Sequence, residues 1–406
     1  MQDALPGKAK LRSKFLSSAY AFVVVFGIVS LFSDMTHEGA WSVTGPFLSS
    51  LGLSAGAVGI IAGLGEFVGY ALRFVSGYVS DKTRRYWLVT GVGYAVNLLA
   101  VPLLALAGRW EVAALLMILE RAGRAIRNPA RDAMLSHATK EMGRGKGFGL
   151  HEALDQIGAT TGPLIIAAAL LLGVSPRMAF AYLLIPAVAA LVVLVFVRLR
   201  FPHPETFEAA QKEQFGVSKF PASFWLYLAA SSLVAIGFVD YPLIAYHLQK
   251  SDLFKDSTIA IYYSVAMGID ALAALLFGRL YDKKGIWALV HSTLISLSFP
   301  LFAFQKSPLF PLIGIVLWGV GMGAQESIMR AAIADFAARD RRATAYGFFN
   351  AVYGTFWFAG SAAFGLIYDR SITAAIVFSL VPQLAAVPFF VLSARRRAAD
   401  AGGHKK

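Results

Sequence analysis

Twelve apolar runs, separated by short stretches of charge, glycine or proline, account for most of the chain. They fall at residues 18–50, 54–80, 87–108, 110–130, 146–172, 178–197, 222–249, 257–281, 286–304, 309–335, 343–369 and 372–394. A helix needs about 20 apolar residues to cross the hydrocarbon core of a bilayer, so the pattern predicts an all-α integral membrane protein with twelve transmembrane helices. The first run follows a basic segment but continues from Ala21 through Asp34, His37 and Glu38 to Pro46 without a small-residue cleavage site. It reads as an uncleaved helix rather than a secretory signal. The only long polar connection, Pro202 to Pro221, divides the chain. The expected organisation is a basic N-terminus (1–17), a six-helix bundle (18–200), a central loop (201–221), a second six-helix bundle (222–394) and a basic tail (395–406).

Composition agrees: 57% of the 406 residues are hydrophobic and only 15% charged, against roughly a quarter charged in globular domains. The net charge of +13 would suit a nucleic-acid partner, but its placement argues against one. Lys and Arg concentrate before the first run, after each even-numbered run and at the C-terminus. That is the positive-inside bias, which puts both termini in the cytoplasm of a multi-pass protein of the cell membrane. The absence of cysteine excludes disulfides, thiolate metal sites and cysteine nucleophiles. There is no HExxH, GxSxG or phosphate-cradling loop, so no enzyme chemistry and no cofactor is implied.

The halves repeat. Gly77-x-x-x-Asp81-Lys82 at the end of the second run returns as Gly278-x-x-x-Asp282-Lys283 at the end of the eighth. Asp34 has its counterpart in Asp240, and Gly149 and Gly162 have theirs in Gly347 and Gly360. Such a repeat makes two pseudo-symmetric six-helix bundles flanking a central site. On these residues the sequence resembles the major facilitator superfamily of secondary transporters, from Ala19 to about Arg395. Gly77 to Arg85 is similar to that superfamily's signature between helices two and three, with Arg84 where a glycine is usual. Gly158-x-x-x-Gly162-Pro163 resembles the start of its antiporter-associated motif in helix five. The resemblance implies alternating access about a midplane cavity and favours export slightly over uptake.

Twelve charged residues fall inside the runs: Asp34, Glu38, Glu66, Arg73, Glu120, Arg121, Glu152, Asp155, Asp240, Asp270, Glu326 and Arg330. Each would cost roughly 2.5–3.5 kcal/mol facing lipid, so they are expected to pair, to be protonated or to line water. They avoid runs three, six, nine and twelve, which the superfamily fold places outside. In run eleven the buried polar candidate is Asn350.

Spacing suggests partners. Glu120 with Arg124, and Glu326 with Arg330, are i,i+4 pairs. Glu66 and Arg73 share a face two turns apart, and Arg121 is placed to meet Glu152 or Asp155. Asp34, Glu38, Asp240 and Asp270 have no cation within a helical turn and are the candidates to carry a coupling proton. Asp34, His37 and Glu38 share one face and also permit a divalent metal ion as cargo, a competing expectation. His151, Glu152 and Asp155 form a second such trio. Tyr241, Tyr246, Tyr262, Tyr263, Tyr353 and Trp357 either line an amphipathic cavity or pack. Asp81, Lys82, Arg84, Arg85, Arg131, Asp282 and Lys283 are expected to gate the cytoplasmic mouth, with Pro129 ending or kinking the fourth helix. The expected function is proton-coupled transport of a small molecule by a membrane-embedded monomer. A non-transporting receptor or assembly factor is the third reading, against which the intramembrane acids argue.

Overall fold

A computed structural model of the chain describes residues 19–139, 144–203, 220–329, 332, 333, 336 and 342–403. The basic N-terminal segment, most of the central connection and Arg330 lie outside the described residues, as does the side chain of Asp81. Among the described residues there is no strand, and twelve helical spans follow one another.

The first six are α1 (Ala19–Trp41, continued by Thr44–Ser50), α2 (Ala55–Thr83), α3 (Tyr86–Leu103), α4 (Trp110–Thr139), α5 (Arg144–Leu171) and α6 (Pro176–Tyr182 with Leu184–Arg200). The second six begin with α7 (Ala222–Gly237 with Tyr241–Lys250), α8 (Asp256–Lys284) and α9 (Trp287–Ser296 with Phe299–Ala303). They continue with α10 (Phe310–Ala324, running into a π-turn at Gln325–Met329), α11 (Arg342–Tyr368) and α12 (Ile372–Gly403). Among the described residues, ten helices are long and apolar enough to cross a membrane, and α9 is a shorter apolar one. In α4 the charged face from Glu120 to Asp132 interrupts the apolar run.

Of the two outcomes expected at Pro129, the helix does not end there: α4 continues to Thr139. A proline inside a helix strands the carbonyl four residues earlier, and here the Ser76 hydroxyl of α2 donates to that carbonyl, Ala125 O, at 2.8 Å. Helix α12 runs without a break to Gly403, so the basic residues that follow the last apolar run begin as its continuation.

The sequence repeat is a packing repeat. Gly162 of α5 lies against the Met35 carbonyl of α1, and its counterpart Gly360 of α11 lies against the Ile236 carbonyl of α7. A methyl group at either place would overlap backbone. The two helix ends repeat as well: Arg84 after α2 and Gly285 after α8 both take positive φ, 52° and 57°.

The halves meet unevenly. Toward the ends of α1, α7 and α11 and the start of α2, Gly45 abuts the Pro242 backbone, Gly59 abuts Ser361, and Gly365 abuts Ala55. There the Asp369 carboxylate accepts from the Ala55 and Gly56 amides at 2.9 and 2.8 Å, capping α2 from the opposite half. Toward the end carrying the α2–α3 and α8–α9 loops, Gly69 and Gly278 have open space beside them. Among the described residues, backbone-to-backbone glycine contacts join the halves at one end, and none is found at the end of the basic loops.

Candidate functional site

The site begins with a stripe of arginines. Arg121, Arg124, Arg127 and Arg131 succeed one another at three- and four-residue steps, so α4 carries them on one face. Opposite lie the acids of α1 and α2. Arg121 Nη2 reaches Glu66 Oε1 at 2.8 Å, Arg124 reaches Glu38 at 3.5 Å and Asp34 at 3.9 Å, and Arg127 reaches Asp34 at 3.6 Å. Arg127 is fully buried with its guanidinium over the Tyr94 ring, and Arg121 lies over Trp41.

His37 stitches the row together. Arg121 Nη1 donates to His37 Nε2 at 3.2 Å, because a guanidinium cannot accept. The other ring nitrogen, Nδ1, is then the donor to Glu120 Oε1 at 2.7 Å. Glu120 also accepts from Asn97 of α3 at 2.5 Å. Side chains from four helices thus form one ionic, hydrogen-bonded network, the arrangement that buried charges require.

Several expected pairings change partner. Glu120 turns to His37, Asn97 and Arg121 while Arg124 crosses to α1, so the i,i+4 pair gives way to contacts between helices. Arg121 meets Glu66 and His37, not Glu152 or Asp155. Arg73 lies over the Tyr70 ring at 5.1 Å. Asp34 and Glu38 have cations after all, supplied by α4, which spacing along α1 cannot reveal. These arginines also occupy the face proposed for a metal ion, and among the described residues no trio of His, Asp or Glu is arranged to hold one. His151 instead bonds Ser30 at 2.9 Å and approaches Asp155 at 3.4 Å.

The second half is built differently. Helix α7 is interrupted at Phe238–Asp240, and Asp240 stands at the start of the resumed helix, ahead of Pro242. The carbonyls freed by the break are satisfied in place. Trp318 Nε1 donates to Val239 O at 2.8 Å, and Ser379 and Gln383 of α12 donate to Gly237 O. Broken helices are tolerated in membranes where protein supplies such donors, and they commonly line transport sites. Asp240 itself is buried and accepts from Trp357 Nε1 at 2.8 Å and from the Ser361 hydroxyl. Among the described residues its hydrogen-bond donors are neutral.

Two adjoining cavities, of about 100 and 440 Å³, occupy the space between the halves. The smaller is framed by Glu66, Arg121, Asp240, Trp318, Tyr353 and Trp357, with Asn350 of α11 on its wall. The larger lies toward the basic-loop end and includes Arg131, Glu152, Asp155, Asp270 and Glu326. Every described lining residue comes from α1, α2, α4, α5, α7, α8, α10 or α11. The four charge-free runs therefore stand outside, as their sequences predict. Tyr263, Tyr353 and Trp357 line the smaller cavity, whereas Tyr241 packs against Tyr263 and Trp318.

The expected gate residues Lys82, Arg84, Arg85, Asp282 and Lys283 are exposed at the basic-loop end, and Arg131 pairs with Asp132 at 2.9 Å. Sequence reasoning missed Arg127, Asn97 and Ser361. The arginine spacing along α4 was a visible signal for the first, while nothing local marks the other two.

A two-half helical bundle closed at one end and enclosing a polar, charged cavity is the architecture of a multi-pass membrane transporter. The chain belongs to the Major Facilitator Superfamily, whose family model matches residues 15–361. It is 40% identical over 376 residues to an uncharacterised protein of Mycobacterium tuberculosis strain H37Rv, covering 91% of this chain and 92% of the relative. An uncharacterised MFS-type transporter of Methanocaldococcus jannaschii is 28% identical over 362 residues, 86% of this chain and 89% of that one. Among solved structures, a bacterial homologue of the human lysosomal transporter Spinster, inward-facing and unoccupied, superposes with a TM-score of 0.70 at 13% identity, covering 93% and 97% of the two chains. The nucleoside transporter NupG gives 0.67 at 15%, covering 93% and 98%. At these identities the structures speak for the fold alone.

Proposed function

We propose that the chain is a proton-coupled secondary transporter that exports a small organic solute across the cell membrane by alternating access, working as a monomer with both termini cytoplasmic. The basic loops support that orientation, under which the arrangement described is open to the cytoplasm. Reversal requires the Asp369 cap to release and the exposed charges around Asp81 and Asp282 to come together. The partial antiporter motif at Gly158 and Gly162 supports the export direction.

The observation that carries the coupling is Asp240. Its carboxyl is buried at a helix break with two neutral donors, so gaining or losing a proton leaves no stranded counter-charge. Asp34 and Glu38 are less suited to the task, because each faces arginine, whose charge would be left uncompensated if the acid lost its own.

The test is a proton-flux screen of everted vesicles against a chemically broad panel that includes divalent metals. A solute that moves protons in wild-type vesicles but not in Asp240→Asn vesicles is the expected result. If every transported solute moves at a rate indifferent to imposed pH gradients, proton coupling is refuted. If only divalent metals move protons, the organic-solute reading is refuted.

A further inference from the structure

The charge inside the protein opposes the charge outside it. The chain as a whole carries +13, yet the described walls of the two cavities bring together nine carboxylates and four guanidinium groups. The imbalance is sharpest on the second half, whose described lining residues include Asp240, Asp270 and Glu326 and no Lys or Arg. A cleft lined with one sign of charge between low-dielectric walls concentrates solutes of the opposite sign.

Within this field one stretch of wall has acceptors in excess. Asp155 and Gln156 of α5 and Asp270 of α8 all line the larger cavity. Asp155 and Asp270 are at least nine-tenths buried, and among the described residues each keeps one carboxylate oxygen without a hydrogen-bond partner, as Gln156 does its amide oxygen. Their described contacts are few: Gln156 Nε2 donates to Asp270 Oδ2 and to Glu152 Oε1, each at 3.3 Å, and His151 approaches Asp155 at 3.4 Å. The unpartnered Asp270 oxygen sits beside Gly323, where α10 approaches α8.

The electrostatic neighbours differ. The charges of Arg127 and Arg131 act on Asp155 together with those of Asp34 and Glu152, whereas the acids Glu38, Glu152 and Glu326 act on Asp270. Buried acceptors lacking donors are costly, and a ligand that brings N–H groups with positive charge satisfies both deficits at once. Aromatic rings stand on the adjoining wall, Tyr263, Trp318, Tyr353 and Trp357 among them, and such rings attract a cation by their faces and an apolar body by burial.

We propose that the solute is an organic cation bearing an N–H-donating ammonium or guanidinium group on an apolar or aromatic body, and that the Asp155–Gln156–Asp270 wall receives its charged head. This assignment rests on the transporter reading but not on proton coupling. The arginines of α4 do not offer an anion site of equal strength, since carboxylates of α1 and α2 already engage Arg121 and Arg124.

The test is a binding measurement on the full-length chain in lipid nanodiscs, without any gradient, using three probes of similar body. Phenethylammonium carries charge and N–H donors, phenethyltrimethylammonium carries charge alone, and 3-phenylpropionate carries the opposite charge. Expected is an order phenethylammonium, then phenethyltrimethylammonium, then 3-phenylpropionate, with about a tenfold loss of phenethylammonium affinity in Asp270→Asn. Asp155→Asn provides the same readout should the first variant fold poorly. No binding of either cation, or 3-phenylpropionate binding as tightly as phenethylammonium, overturns the proposal. So does unchanged affinity in a folded Asp270→Asn or Asp155→Asn. Cation binding that persists while vesicle flux ignores pH gradients refutes proton coupling alone.

Discussion

The sequence repeat pairs Asp34 of α1 with Asp240 of α7, but the equivalent contacts of Gly162 with Met35 and of Gly360 with Ile236 align Asp34 with Ala235 instead, and the two halves treat the two acids in opposite ways. Asp34 lies on an unbroken stretch of helix and faces Arg124 and Arg127. Asp240 lies at a helix break and is held by an indole N–H and a hydroxyl. One acid is locked in a charge network, and the other is held by neutral hydrogen-bond donors. The two halves thus shelter buried acid differently, by ion pairing with arginine in the first and by neutral donors at a helix break in the second.

The largest expected effect breaks that contrast directly. Arg127→Met leaves Asp34 with one distant cation, and Asp34→Asn leaves the fully buried Arg127 uncompensated. Each is expected to cost about 3–5 kcal/mol, read as a loss of thermal stability in detergent. Asp240→Asn, which keeps both donors in use, is expected to cost less than about 1 kcal/mol. Equal costs on the two sides would show that the halves are not electrostatically distinct.

A second comparison concerns places where the halves agree. Gly162→Ala and Gly360→Ala each force a methyl group into the backbone of the facing helix. Each is expected to destabilise by about 1–3 kcal/mol, by similar amounts if the packing repeat holds under load. A wide divergence between them would confine the symmetry to sequence.

The smallest effect belongs to the two loop ends. Arg84 takes a left-handed conformation at φ 52°, ψ 21°, which disfavours a side chain by roughly 1–2 kcal/mol. Arg84→Gly is therefore expected to raise stability by about 1 kcal/mol, offset by the added chain entropy of glycine. Gly285→Ala, at φ 57°, ψ −138°, is expected to lower stability by about 1–3 kcal/mol. Opposite signs in thermal unfolding check the pair.

Much of the fold was legible because membrane solvation punishes misplaced charge. Runs three, six, nine and twelve lack charge, and the helices they form stand clear of the cavity walls. The repeat was legible in Gly162 and Gly360, since only glycine permits those contacts. Partner assignments within the site were much less so. Glu120 and Arg124 stand at pairing distance along α4, but the network formed uses Asn97, His37 and the acids of α1, residues far away in the chain. Whether Pro129 ended α4 was undecided for the same reason: its consequence depended on a hydroxyl of α2.

The sequence by itself determined the number of spans, the division into halves and the set of charged residues that had to be sheltered, because hydropathy and the cost of buried charge act residue by residue. Only the tertiary structure decided which carboxylates meet arginine and which meet neutral donors. That choice depends on the approach of helices whose contacting residues are separated by tens to hundreds of positions, and no periodicity within one helix encodes it.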